Sequence, residues 1–139
     1  MGGDIDGETA GDSSGFSVSL VDSSIGLVVA IGARNYVGNV RVYQYDATKN
    51  NLITEESSTD YGPIGWRRLG ADIDGEVAGD QAGYSVSLVD IANGLVVAIG
   101  AYGNDAGNTD TDNRGHVRVY QYDANRTTAQ LDPDLPNFG

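Results

Sequence analysis

The stretch GFSVSLVDSSIGLVVAIGA at residues 15–33 returns as GYSVSLVDIANGLVVAIGA at residues 83–101, and this pair decides the fold. In the first copy Phe16, Val18 and Leu20 alternate with Ser17 and Ser19, the period of a strand with one apolar face over Gly15–Val21. A turn follows around Asp22 to Gly26. Leu27–Ala33 is a continuous apolar run closed by small residues, as a strand buried on both sides requires.

Outward from this core the duplication extends in both directions. Asp4–Ala33 and Asp72–Ala101 match at an offset of 68, with 23 of 30 positions identical. After Ala33 the first copy reads Arg-Asn-Tyr-Val, whereas the second runs from Tyr102 to Arg114, nine residues longer. Register returns at an offset of 77, where GNVRVYQYDA (38–47) and GHVRVYQYDA (115–124) agree at nine of ten positions. A connection that absorbs nine residues between unchanged flanks belongs on the surface. Asn39–Tyr45 alternates again and predicts a third strand. The polar stretch from Ala47 to Pro63 then leads to Trp66–Gly70, a fourth, outer strand, and to the Asp-Ile-Asp-Gly turn. The expected fold is all-β, two four-stranded antiparallel repeats of the β-propeller blade type. The first occupies residues 1–65 with its polar connector, the second residues 66–139 with a C-terminal tail. A β-sandwich of about eight strands is the competing architecture, and the close internal identity argues against it.

Composition narrows function. Twenty acidic against eight basic side chains give a net charge of −12, with no Lys or Arg run to neutralise phosphates, so nucleic acid and anionic membrane are poor partners. Such a surface invites calcium or a cationic partner, or simply keeps the chain soluble. Without cysteine there are no disulfides, thiolate metal sites or thiol nucleophiles. No apolar stretch approaches the roughly 20 residues that span a bilayer, so membrane insertion is not expected. The sequon at Asn125 (Asn-Arg-Thr) is compatible with glycosylation in a secretory setting.

Taken as a set, Gly15-Phe-Ser-Val-Ser, Val-Ala-Ile-Gly32-Ala33 and Gly38-Asn-Val-Arg-Val-Tyr resemble the FG-GAP repeat of the integrin α-subunit N-terminal propeller. Gly83-Tyr84, Gly100-Ala101 and Gly115-His-Val-Arg-Val-Tyr120 stand at the matching places of the second copy. The resemblance implies an extracellular or cell-surface adhesion module. Many blades of that family carry an Asp-x-Asp-x-Asp-Gly calcium loop between the first two strands. Here those turns are Asp22-Ser-Ser-Ile-Gly26 and Asp90-Ile-Ala-Asn-Gly94, too short and too poor in oxygen ligands, so Asp22 and Asp90 are read as turn formers bonding amides two residues on.

Two other acidic clusters invite a cation. One is Asp4, Asp6, Glu8 and Asp12 with its copy Asp72, Asp74, Glu76 and Asp80, for which turn and junction roles compete with metal binding. The other is the inserted loop, where Asp105, Asp110, Asp112 and Asn113 place oxygen ligands at close spacing and form the calcium candidate. Catalysis has little to draw on. His116 is the only histidine and stands where the first copy has Asn39, no Gly-x-Ser-x-Gly elbow exists, and the expectation is a non-enzyme. Trp66 reads as a packing residue, while Tyr36, Tyr61 and Tyr102 in connectors offer stacking surfaces.

The first copy begins at the equivalent of Leu69, and the second stops short of an equivalent of Trp66–Gly70. Incomplete blades are completed by further blades of a longer repeat protein, by a homo-oligomeric ring, or by a filament in which the tail Leu131–Pro136 pairs with the next chain's edge. The expected function is adhesion or scaffolding through protein or glycan partners or self-assembly, with a lectin-like or glycan-active propeller as the alternative.

Overall fold

The computed structural model describes residues 1–104 and 114–125. Among these it is all-β, with no helix and two antiparallel sheets. The first sheet holds β1 (Ser14–Ser23), β2 (Gly26–Ala33), β3 (Asn39–Tyr45) and β4 (Trp66–Arg68) in that order, with β5 (Ile73–Asp74) also paired to β3. The second holds β6 (Ala82–Ile91), β7 (Gly94–Ala101) and β8 (His116–Gln121). The two main hairpins pair in one register: Val18↔Ile31 and Leu20↔Val29 in the first, Val86↔Ile99 and Leu88↔Val97 in the second. Both carry a bulge at the same place, between Ser14 and Ser17 and between Ala82 and Ser85. Gly15 and Gly83, inside the bulges, sit at φ of 86° and 83°, and Ser13 and Gln81 just ahead of the strands at 52° and 53°.

The first three expected strands are met with small changes at the ends, and Asn39–Tyr45 agrees at both limits, but in place of four strands per repeat the described residues form sheets of five and three. One element differs in kind. Asp-Ile-Asp-Gly, expected as a turn, places Ile73 and Asp74 opposite Val40 and Asn39, so that this segment extends the edge of the first sheet.

The sheets stack face to face, with β6 lying against β1 and β2. Val28, Ala30, Val40 and Val42 of the first sheet meet Leu95, Val97, Ile99 and Leu88 of the second in one buried cluster closed by Leu69 and Ile73. A second cluster, Val29, Ile31, Tyr43 and Trp66, lies on the other face of the first sheet and is covered by Ile5 and Tyr61. β2 is therefore buried on both faces, the reason its sequence is an unbroken apolar run. Trp66 packs edge-on against Tyr45 with ring centroids 5.4 Å apart, a packing role.

The polar connector is held by a residue its composition does not announce. Lys49 is buried, and its Nζ donates to the carbonyls of Asn51 at 2.7 Å, Gly62 at 2.6 Å and Pro63 at 2.9 Å. Lys49→Met keeps the aliphatic stem and strips the donor from three carbonyls. The expected result is a loss of about 2–4 kcal/mol in urea unfolding. A midpoint unchanged from the parent would show that water replaces the ammonium at no cost.

Candidate functional site

The junction between the sheets is polar along its inner strands. Ser17 Oγ donates to the Gly83 carbonyl at 2.7 Å, and the Leu88 amide donates to Ser19 Oγ at 2.9 Å. The serine face of β1, expected to look away from the core, is thus the one that meets the second sheet. Phe16, Val18 and Leu20 instead stand 44%, 58% and 59% exposed. At the hairpin tip Asp90 Oδ2 accepts from the Ser24 amide at 2.7 Å. This corrects the turn-former reading of Asp90, because the partner lies in the other sheet. The first hairpin's own turn is closed by Ser23, whose Oγ donates to the Gly26 carbonyl at 2.7 Å.

The repeated acidic segments have a structural use. Asp12 Oδ2 accepts from the amides of Glu8 at 3.1 Å and Thr9 at 2.9 Å, and Asp80 Oδ2 accepts from Glu76 and Val77 at 2.9 and 3.0 Å. Asn35 Nδ2 reaches Asp12 at 3.4 Å, and Asn104 Nδ2 reaches Asp80 at 2.9 Å. Hydrogen bonds from Thr9 hold the Asp12 carboxyl below its ordinary range. Both carboxylates are buried, and these hydrogen bonds fix the turn that leads into each hairpin. Among the described residues no three His, Cys, Asp or Glu side chains converge as a metal site. Asp105, Asp110, Asp112 and Asn113, the calcium candidate, lie outside the described residues, as does the tail Leu131–Pro136. Asn125 is exposed, its amide donating to Asp123 Oδ1 at 2.9 Å, which leaves the sequon side chain on the surface.

One charged cluster is missed by sequence reading. Arg41, 2% exposed, pairs with Glu8 at 3.3 Å and donates to the Asp6 carbonyl at 3.1 Å, Ser14 Oγ at 3.3 Å and Tyr43 Oη at 3.4 Å. Tyr61 Oη donates to Glu8 at 3.1 Å, and the Arg68 guanidinium lies 4.3 Å over the Tyr61 ring while bonding Asp72 at 2.9 Å. Alternation along β3 placed Arg41 opposite Val40 and Val42, but nothing in that pattern says that its face is covered. Burial pushes the Tyr43 hydroxyl up to about 12.

Burial, with the Glu8 charge adding to it, also pushes the Asp72 carboxyl up to about 6 from 3.8, despite Arg68 beside it. With the folded value raised, the contribution of Asp72 to stability is fully present below about 4 and lost as pH rises through about 6. Stability at about pH 5 should therefore exceed that at about pH 8 by roughly 1–2 kcal/mol, after allowance for solvent screening. Asp72→Asn should remove most of the difference. A pH profile unchanged by that substitution would assign the dependence elsewhere.

Glu8, Arg41, Tyr43 and Tyr61 line a cleft of about 240 Å³ between Asp4–Glu8 and the connector around Leu52. That is below the roughly 300–1,000 Å³ of ordinary small-molecule sites. Of the carboxylates that line it, Glu8 is tied to both a guanidinium and a phenol, an arrangement suited to holding the segment in place rather than to transferring a proton. His116 stands at the start of β8 with Nδ1 3.4 Å from Glu76.

Exposed apolar side chains stand on the outer faces of the stack. Val117 and Val119 on the second sheet are 67% and 61% exposed, opposite in the molecule to Val18 and Leu20 on the first. No family model matches the sequence, and comparison with curated proteins gives no match.

Proposed function

We propose that this chain is a non-catalytic adhesion or scaffold module of the FG-GAP kind, its two sheets acting as propeller blades, the first reaching through β5 at Ile73–Asp74 and the second beginning at β6, and working at the cell surface or outside the cell. The observation that carries this reading is the exposure of Val117 and Val119 on one outer face and Leu20 on the other, whose repeat equivalents Val40, Val42 and Leu88 are buried where the two sheets meet. Surfaces of this kind serve contact with another protein or another blade. The chemistry of the small cleft supports the same reading, since Arg41, Glu8 and Tyr61 satisfy one another. Calcium on the inserted loop at Asp105, Asp110, Asp112 and Asn113 is a proposal that rests on sequence spacing alone.

The test is a glycan and protein array probed with the full chain, with and without calcium, and with Asp110→Ala and Asp112→Ala variants. Binding without turnover is the expected result. Cleavage of an arrayed glycan would overturn the non-catalytic reading, and binding indifferent to calcium and to both substitutions would remove calcium from it.

A further inference from the structure

We propose that the outer face of the second sheet receives the outer face of the first sheet of another copy of this chain, head to tail, in the register that already joins the two sheets. The inference rests on the binding-module reading above and names a partner for it. Its ground is that the inner junction has been written into the sequence twice and formed only once within the chain.

Side chains show this first. Val40 and Val42 are 0% and 1% exposed at the inner junction, whereas Val117 and Val119, their repeat equivalents on the outer face, are 67% and 61% exposed. On the opposing surface Leu88 is 8% exposed at the junction and its equivalent Leu20 is 59% exposed. Each outer face thus presents one half of a contact whose other half lies at the far end of the same molecule. Such a pair of surfaces is heterologous, so that association proceeds in one direction and either closes as a ring or continues as a filament.

Glycines show it more sharply. A Cβ on Gly32 would run into the Gly83 carbonyl oxygen, and one on Gly83 into the Asn39 carbonyl oxygen, both across the junction. The equivalents are Gly100 and Gly15. Nothing lies within 4 Å of a Cβ on Gly15, and one on Gly100 meets only Ser85 of its own hairpin. Gly100 carries no left-handed φ that would call for glycine, yet it lies inside β7, one residue from its end. Glycine inside a strand marks a bulge or the close approach of another backbone. Gly100 faces the β6 bulge at Ser85, and the carbonyl that crowds its equivalent Gly32 from the other sheet has no counterpart there within one chain.

The polar pattern transfers as well. Ser17 Oγ to the Gly83 carbonyl becomes Ser85 Oγ to Gly15 of the second copy; the Leu88 amide to Ser19 becomes the copy's Leu20 amide to Ser87; and the Ser24 amide to Asp90 becomes the Ala92 amide to the copy's Asp22. Ile73 and Asp74 pair with Val40 and Asn39, so Ile5 and Asp6 of the copy are the matching edge for Val117 and His116. That segment is already held in the matching position on its own sheet. Arg41 donates to the Asp6 carbonyl as Arg118 donates to that of Asp74.

Sedimentation velocity on the full chain over a concentration series tests the proposal. The unmodified chain is expected as assemblies that grow with concentration above 14.5 kDa. Leu20→Asp and Val119→Asp, each on one exposed face, should sediment as monomers with unaltered circular dichroism. Mixed in equal amounts they should form a dimer and stop there, because each retains the face the other has lost. Gly100→Val should also abolish assembly while the monomer keeps its fold. An unmodified chain that stays monomeric throughout would overturn the contact while leaving the array result to judge the binding-module reading. Self-association of either single variant, or no dimer in the mixture, would also overturn it.

Discussion

Gly32→Ala should lower stability by about 3 kcal/mol in urea unfolding, although alanine is ordinarily the better residue in a strand by about 0.5–1 kcal/mol. The sign is decided by what the new methyl meets. At Gly32 it is driven into the Gly83 carbonyl and into Ser17 Oγ, the two atoms that hydrogen-bond across the junction at 2.7 Å. One of them is backbone and cannot turn aside, so the sheets must part, and the buried cluster of Val28, Val40, Val97 and Ile99 parts with them. Gly100→Ala is the control, since its methyl meets only the Ser85 hydroxyl, which can rotate. In dilute solution it should change stability by less than about 1 kcal/mol. Equal effects at the two positions would show that glycine is needed there for strand conformation rather than for contact between sheets.

Arg41→Met should cost about 2–4 kcal/mol. The guanidinium is buried while Glu8 keeps 24% of its side-chain surface, which lowers the penalty from the 3–5 kcal/mol of a fully buried broken pair. Methionine fills the volume but returns nothing to Glu8, the Asp6 carbonyl or Ser14 Oγ. Adding Glu8→Gln should recover about 1 kcal/mol or more, the coupling expected of neighbours in one network. Strict additivity of the two substitutions would mean that the ion pair contributes nothing and that Arg41 acts through the Asp6 carbonyl, Ser14 Oγ and Tyr43 Oη.

How far these features could be read from sequence depends on whether their cause is local. β2 is legible because Leu27–Ala33 is apolar without a break, and β3 because Asn39–Tyr45 alternates. The serine face of β1 misleads, since alternation reports two faces and not which of them meets the neighbouring sheet. Only the stacking of β6 on β1 makes Ser17 and Ser19 interior and leaves Val18 and Leu20 outside. The same limit explains Asp90, whose partner amide at Ser24 is 66 residues away. Asp12 and Asp80 were visible as repeated acids, and their spacing of four from Glu8 and Glu76 is the one local signal that they bond those amides. Arg41 and Lys49 gave no signal, because a cation is buried only when distant carbonyls and carboxylates converge on it.

The Ser17–Gly83 hydrogen bond joins residues 66 apart, and this has a consequence during synthesis. The β1–β2 hairpin closes over a few residues and can form as soon as it leaves the ribosome, long before β6 exists to cover Val28 and Val40. Until then its waiting surface fits any hairpin of the same pattern, including the one on a neighbouring nascent chain. Two repeats this alike therefore carry a hazard of exchange between polysome neighbours. Among the described residues, the differences that mark one hairpin from the other at this seam are few, chiefly Phe16 against Tyr84 and Arg34 against Tyr102, whose side chains meet where the strands begin and end.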